Sequence, residues 1–225
     1  MPRLDRWLRD NGYFTSRQRA KRAIKEGLVL VNGRKAKPST HVTGTDKIHV
    51  SEKAQDMPLG YLKMKRINRL IQTEIINPDD YVLDIGSSAG GFILYAKEQG
   101  AKVLGIEISD EFLRRLQGIA HYSEGVSILN EDAFTILFEE IPCGDFDTIL
   151  IDVTTEPEST LKLAKKFYKC LRPSGKILVA FKSRLKPDFI EHCRNSIEEV
   201  GFINSQPIIL DDKRQEFHIF AVKPE

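Results

Sequence analysis

Residues 82–91 read Val-Leu-Asp-Ile-Gly-Ser-Ser-Ala-Gly-Gly, and Glu107 closes the next apolar run, 23 positions after Asp84. An apolar strand runs into a glycine-rich turn and then a helix, and a carboxylate follows at the tip of the second strand. A doubly wound α/β domain builds a nucleoside-binding crevice in this way. The glycines let backbone approach a ligand closely, and the acid can accept hydrogen bonds from ribose hydroxyls. A dinucleotide fingerprint is Gly-x-Gly-x-x-Gly, with the pyrophosphate on the helix N-terminus. Here the spacing is Gly86-x-x-x-Gly90-Gly91, preceded by Asp84. An acid beside the loop would repel a pyrophosphate and favour a cationic or zwitterionic ligand.

The rest of the C-terminal part alternates in kind. Apolar runs at 81–86, 102–107, 126–129, 146–152 and 176–181 read as strands. Amphipathic stretches at 90–99, 110–121, 133–140, 158–171 and 187–200 read as the helices between and after them. Residues 61–76 read as a leading helix broken by Asn77-Pro78. Two last strands near 205–210 and 215–222 have no helix between them, which predicts an antiparallel hairpin at the edge of a parallel sheet. The whole pattern resembles the class I methyltransferases, whose fold is Rossmann-like and whose cofactor is S-adenosyl-L-methionine (SAM). The resemblance implies that Asp84, Gly86, Ser88, Gly90 and Gly91 lie under the methionine end of SAM. It implies that Glu107 holds the ribose hydroxyls, Ile108 flanks the adenine and Asp132 accepts from the adenine amino group. Asp132 also reads as an N-cap for 133–140.

Charge divides the chain. Residues 1–51 hold 12 Lys and Arg against 4 acids, a net +8, while the whole chain is +2 and the remainder therefore −6. A small basic module joined to a mildly acidic one suggests a grip on a polyanion. Leu4, Trp7 and Leu8 at helical spacing give a first helix at 3–11, with Trp7 in its core face. Ser16 can cap a second helix that stops at Gly27. Residues 28–31 read as a strand, Asn32-Gly33 as a tight turn and 47–50 as a closing strand. Arg17, Lys21 and Lys25 form one stripe of the second helix, and Arg34, Lys35 and Lys37 follow the turn. Arg3-Leu4-Asp5-x-x-Leu8, Ser16-Arg17-x-x-Ala20, Ile24-x-x-Gly27-x-Val29-x-Val31-Asn32-Gly33 and Asp46-x-Ile48 resemble the RNA-binding domain named for ribosomal small-subunit protein four. That likeness implies a small α+β domain at 1–51 that binds structured RNA, ribosomal RNA above all, through Arg3, Arg17, Lys21, Lys25, Arg34, Lys35 and Lys37. A polar stretch at 52–60 reads as a linker, and 61–225 as the methyltransferase-like domain.

Composition excludes other classes. No run of 18 apolar residues exists, so no membrane span is expected, and the first residues lack an apolar signal core. Cys143, Cys170 and Cys193 form no CxxC pair, so neither a metal site nor a disulfide framework is expected, and the cytoplasm is the default compartment.

The acceptor follows from what stands at the strand ends. Base-amino methylation uses an Asn/Asp-Pro-Pro-aromatic motif after the fourth strand, and the chain has Ile151-Asp152-Val153-Thr154-Thr155. Pyrimidine carbon-five methylation needs a thiolate, and no cysteine stands at the end of strand four or five. Lys63 or Lys65, Asp152, Lys182 and Glu216 or His218 remain. A lysine whose pKa is lowered could take a hydroxyl proton or orient the oxygen, with acids holding it in place. This set resembles the lysine–aspartate–lysine–glutamate set of FtsJ-type ribose 2′-O-methyltransferases, with Lys63, Asp152, Lys182 and Glu216 as its members. Leu62-Lys63-Met64 is similar to that family's first-lysine motif, and Val179 to Arg184 to the strand-five segment of fibrillarin. The joined architecture resembles the TlyA (haemolysin A) family of rRNA 2′-O-methyltransferases. The loop departs from that family's Gly-Ala-Ser-Thr-Gly-Gly. The same features leave a second reading, an RNA-binding ribosome-associated factor whose methyltransferase fold does not turn over.

Overall fold

A computed structural model describes residues 1–11, 13–14, 16–51, 58–71, 73–211 and 215–225. Most of the predicted linker and the residue after Asn11 lie outside the described residues. The chain divides into two compact units, Met1–Leu62 and Lys63–Glu225.

In the first unit, helices α1 (Leu4–Asp10) and α2 (Arg17–Lys25) precede strands β1 (Val29–Val31), β2 (Arg34–Lys35) and β3 (Ile48–Val50). The strands form an antiparallel sheet in the order β2-β1-β3. Ser16 caps α2, its hydroxyl accepting from the Arg19 N–H at 3.3 Å. Asn32 and Gly33 both take positive φ, 52° and 76°, which is what a two-residue hairpin turn matched to strand twist requires. Leu4, Leu8, Phe14, Ala20, Ala23, Ile24, Val29, Val42 and Val50 form the core, with Trp7 packed at its margin against Tyr13.

In the second unit, α3 (Leu59–Leu70, from Lys63 on) leads to β4 (Tyr81–Ile85), α4 (Gly91–Glu98), β5 (Lys102–Ile106), α5 (Asp110–Tyr122) and β6 (Val126–Leu129). Then come β7 (Phe146–Ile151), α6 (Pro157–Phe167), β8 (Leu171–Phe181), α7 (Pro187–Val200), β9 (Ile203–Ile208) and β10 (Phe217–Val222). The sheet order is β6-β5-β4-β7-β8-β10-β9. The first five strands are parallel, and β10 lies antiparallel between β8 and β9. The near-continuous apolar burial of β4, β5, β7 and β8 is that of strands covered on both faces.

Four expectations need correction. The leading helix stops at Leu70 rather than at 76, because side chains take over the backbone groups beyond it. The Asn68 amide oxygen accepts from the Ile75 N–H at 3.1 Å, and the Thr148 hydroxyl donates to the Ile75 carbonyl at 2.9 Å. Residues 133–140 form only a turn and a short 3-10 segment at Phe138–Glu140, since Asp132 and Lys166 satisfy that backbone instead. Strand five begins at Leu171, and Pro173-Ser174-Gly175 sit inside it as an irregularity with Ser174 at φ 59°. Cys143 and Cys170, 27 positions apart, are joined in a disulfide. The two cysteines meet because the chain before β7 and the chain entering β8 are neighbours in the sheet.

Candidate active site

Parallel strands deliver their carboxyl ends to one edge of the sheet, and β10, running the other way, delivers its amino end to the same edge. Along that edge stand Glu107 after β5, the loop 86–91 after β4, Asp152 after β7, Lys182 after β8 and Glu216 before β10. Lys63 reaches them from α3.

The four residues form one cluster. The Lys63 ammonium donates to Asp152 Oδ2 and to Glu216 Oε1, each at 2.6 Å. Lys182 donates to Asp152 Oδ1 at 2.5 Å and also to Glu216 Oε1. Burial pushes the Asp152 carboxyl up, but Lys63 and Lys182 outweigh it and hold it below the ordinary value. Glu216 is likewise raised by burial and held low overall by the same two lysines. Burial lowers Lys182, and Asp152 and Glu216 more than reverse that, so its pKa is raised. The lowered lysine expected from the sequence is thus corrected. Two carboxylates against two ammonium groups favour the charged form of Lys182.

The open alternatives sort by position. Lys65 lies 4.0 Å from Glu98 and outside the cluster. His218 is 1% exposed, with Nε2 4.0 Å from Glu216 Oε1 and neither ring nitrogen hydrogen-bonded. Burial and the nearby Lys63 cation push its pKa down to about 4, so it is neutral.

The glycine loop is packed tightly against the fold itself. Gly86 has φ +83°, and a Cβ there would lie 2.7 Å from the backbone oxygen of Asp152. Gly90 has φ +79° and would press a Cβ onto Ile119 of α5 at 2.4 Å. Glu107 closes the loop from outside, Oε2 accepting from the Ser88 N–H at 2.7 Å and Oε1 from the Ser109 N–H at 2.8 Å. Asp84 is fully buried and neither of its carboxylate oxygens has a hydrogen-bond partner. Burial pushes its pKa up to about 7 against a lowering pull from the nearby Ser87 hydroxyl, which donates to the Asp84 backbone carbonyl, and the Asp152 and Glu107 carboxylates add to the rise. Gly91 opens α4 and Ile108 leaves its side chain 65% exposed beside the crevice. Asp132 Oδ1 accepts from the Phe134 N–H at 2.9 Å, which is a turn cap.

Two contributors escaped the sequence reading. The Lys166 ammonium of α6 donates to the carbonyls of Ala133, Phe134 and Ile136, each at 2.9 Å, and so holds the turn after Asp132. Asn130 donates to the Glu107 carbonyl at 2.9 Å. Lys166 had no signal, because one lysine in an amphipathic helix looks like any other.

In the first unit the seven cations named from the sequence divide. Asp5 is fully buried and accepts from Arg17 at 2.9 Å and from Arg3 at 3.3 Å, with Lys21 at 3.9 Å. Lys25, Arg34, Lys35 and Lys37 are exposed.

Comparison with known proteins gives two domain matches. Residues 2–48 match the S4 domain and residues 82–175 a methyltransferase domain. A Methanocaldococcus jannaschii protein provisionally named a ribosomal RNA large subunit methyltransferase is 29% identical over 123 residues, 52% of this chain and 32% of the relative. The Hemolysin A of Brachyspira hyodysenteriae is 33% identical over 101 residues, 44% of this chain and 41% of the relative. The chain thus spans a third to two fifths of the length of these relatives. Among solved structures, Aeropyrum pernix fibrillarin with bound S-adenosyl-L-methionine superposes with a TM-score of 0.63 at 15% identity, over 80% of each chain. The chain thus joins an N-terminal segment that matches the S4 domain to a segment that matches a methyltransferase domain and has the fold of SAM-dependent methyltransferases.

Proposed function

We propose that the protein uses SAM to methylate a ribose 2′-hydroxyl of a structured RNA, ribosomal RNA before others, in the cytoplasm. The observation that carries this is the cluster of Lys63, Asp152, Lys182 and Glu216 at the sheet edge that also bears Asp84 and Glu107. The S4 domain and the relative named for ribosomal RNA methylation support the RNA acceptor.

The crevice suits SAM. A buried carboxylate without partners beside a positive-φ glycine loop favours a cationic ligand over a phosphate. Glu107 keeps lone pairs for ribose hydroxyls beyond the two N–H groups it accepts, and Ile108 offers an apolar wall to a purine. Asp132 follows β6, the strand that pairs with β5. Bound there, SAM supplies an electrophilic methyl group.

The chain's own residues then act on the hydroxyl. Lys182, its pKa raised, keeps its proton, and Lys63 and Lys182 donate to the incoming oxygen, which fixes a lone pair in the direction of attack. As the carbon–oxygen bond forms, the methyl–sulfur bond would break and leave its electron pair on sulfur as a neutral thioether, while the hydroxyl proton becomes acidic and passes to Asp152 or Glu216, and from there to water. The ammonium groups stabilise the oxygen while that proton leaves. Four groups locked by mutual ion pairs need no rearrangement before the step.

The test is transfer of labelled methyl from SAM to deproteinised ribosomal RNA and to ribosomal subunits, both from cells lacking the protein. Label in an alkali-resistant dinucleotide supports the reading, and label on a base refutes it. The Lys182→Ala variant should lose at least about a hundredfold in kcat, the scale of one positioned charged group, while its SAM affinity stays within about twofold. Full activity of that variant would remove Lys182 from the mechanism.

A further inference from the structure

Past the carboxyl end of β8 the surface opens into a cleft of about 390 Å³, lined by Lys182, Ser183, Arg184, Lys186, Phe189 and Gln215. The volume lies in the range of small-ligand sites, about 300–1,000 Å³. One end of the cleft is Lys182 itself, and Gln215 is the neighbour of Glu216, so the cleft abuts the catalytic cluster. Arg184 and Lys186 are exposed and make no ion pair among the described residues, although the chain beyond residue 51 carries an excess of acids. Unneutralised cations in an acidic domain are not part of a general basic surface. The cleft also lies against the start of α7, whose helix dipole is positive there. Phe189 is half-buried, its ring held edge-on against Phe217 at 6.4 Å, and it therefore forms a fixed wall.

The order along the sheet edge assigns the cleft a place. Glu107 and Asp84 lie over β5 and β4, the acid–lysine cluster over β7, β8 and β10, and the cleft beside that cluster at its β8 and β10 end, away from β4. The cleft thus adjoins the cluster on the side away from the β4 loop, where an acceptor reaching Lys182 and Glu216 can lie.

We propose that the cleft seats the RNA nucleotide next to the target ribose. Arg184 and Lys186 grip its phosphodiester, the Phe189 ring lies against its base, and Gln215 hydrogen-bonds to the base or sugar. The proposal rests on the RNA-methylation reading and adds the residues that present the acceptor. It requires a nucleotide splayed out of a helix, since the bases of an A-form duplex are stacked away from such a wall. The S4 domain then supplies affinity for the RNA fold, and the cleft selects an unpaired nucleotide within it.

Two measurements on the full chain test this. Amine-reactive footprinting with and without deproteinised ribosomal RNA should show Lys186 protected by RNA. The Arg184→Gln/Lys186→Gln double variant should raise the KM for RNA by about tenfold or more, with SAM affinity unchanged and the thermal midpoint held, because phosphate contacts set register and affinity without touching the cofactor. Equal labelling of Lys186 in both conditions, together with an unaltered KM, would overturn the proposal. Footprinting needs no turnover, so the two readings separate. Protection without methyl transfer by the parent protein would keep the cleft as an RNA site and refute the methylation reading. Transfer with Lys186 labelled equally and the KM of the double variant unaltered would do the reverse.

Discussion

Two buried titratable groups near the site oppose each other in pH. Asp84 has a folded pKa of about 7 against 3.8, so the folded state holds a proton that the unfolded state has lost. Stability therefore falls as pH rises from about 4 to 7, by about 4 kcal/mol at most. Asp84→Asn should raise the thermal midpoint at pH 8 and weaken SAM binding in the same buffer. Equal midpoints for parent and variant at pH 8 would show that Asp84 is not a buried charge. His218 behaves oppositely, with a folded pKa of about 4 against 6.5. The unfolded state takes up its proton first, so stability falls on acidification from 6.5 to 4, by about 3 kcal/mol at most. His218→Leu should flatten that acid limb in melts across this range, and an unchanged limb would assign the loss to other groups. Single residues of this kind were only half legible. The motif marked Asp84 as acidic and near the loop, but its missing partners follow from what packs around it.

Among the elements, α6 holds the 133–136 turn through a single side chain. Lys166→Met leaves three carbonyls without their donor. The variant should raise the KM for SAM several-fold, on the scale of about 1–2 kcal/mol, with kcat nearly unchanged. A fall in kcat at constant KM would place Lys166 in the chemistry instead. The elements themselves were mostly readable, because periods of two and of 3.6 are local properties of a sequence. The misreadings fell where a distant side chain replaced a backbone partner. Asn68 and Thr148 take the groups of Ile75, and Lys166 takes those of 133–136. The strand read at 176–181 begins earlier, at Leu171, because β7 pairs on both sides of Pro173-Ser174-Gly175, Phe146 with Leu171 and Thr148 with Lys176.

For the whole molecule, the proposed RNA binding ties the charge partition to a salt dependence. Each phosphate contact steepens the dependence of log affinity on log salt by about 0.7–0.9. Neutralising Lys25, Arg34, Lys35 and Lys37 together should reduce the slope by about three. Arg17→Ala should instead lower the thermal midpoint of the first unit, since it leaves the buried Asp5 carboxylate short of its 2.9 Å partner. A slope unmoved by the fourfold change would direct the search for the RNA surface elsewhere. The +8 of residues 1–51 pointed to a polyanion partner, but it could not separate cations that face solvent from those that hold Asp5.

The sequence by itself determined the two domain types, the alternating α/β order, the glycine loop and the carboxylate after the second strand. All of these are short-range patterns of apolarity, turn residues and spacing. Only the tertiary structure decided that Lys63 and not Lys65 joins Asp152, Lys182 and Glu216, and that His218 stands apart as a neutral residue. It also decided that Lys182 keeps its proton. The physical reason is range. Lys63 and Glu216 are separated by 153 positions and meet at 2.6 Å only because a helix and an antiparallel strand reach one sheet edge. A pKa depends on the charges and burial gathered around a group after the chain has closed on itself.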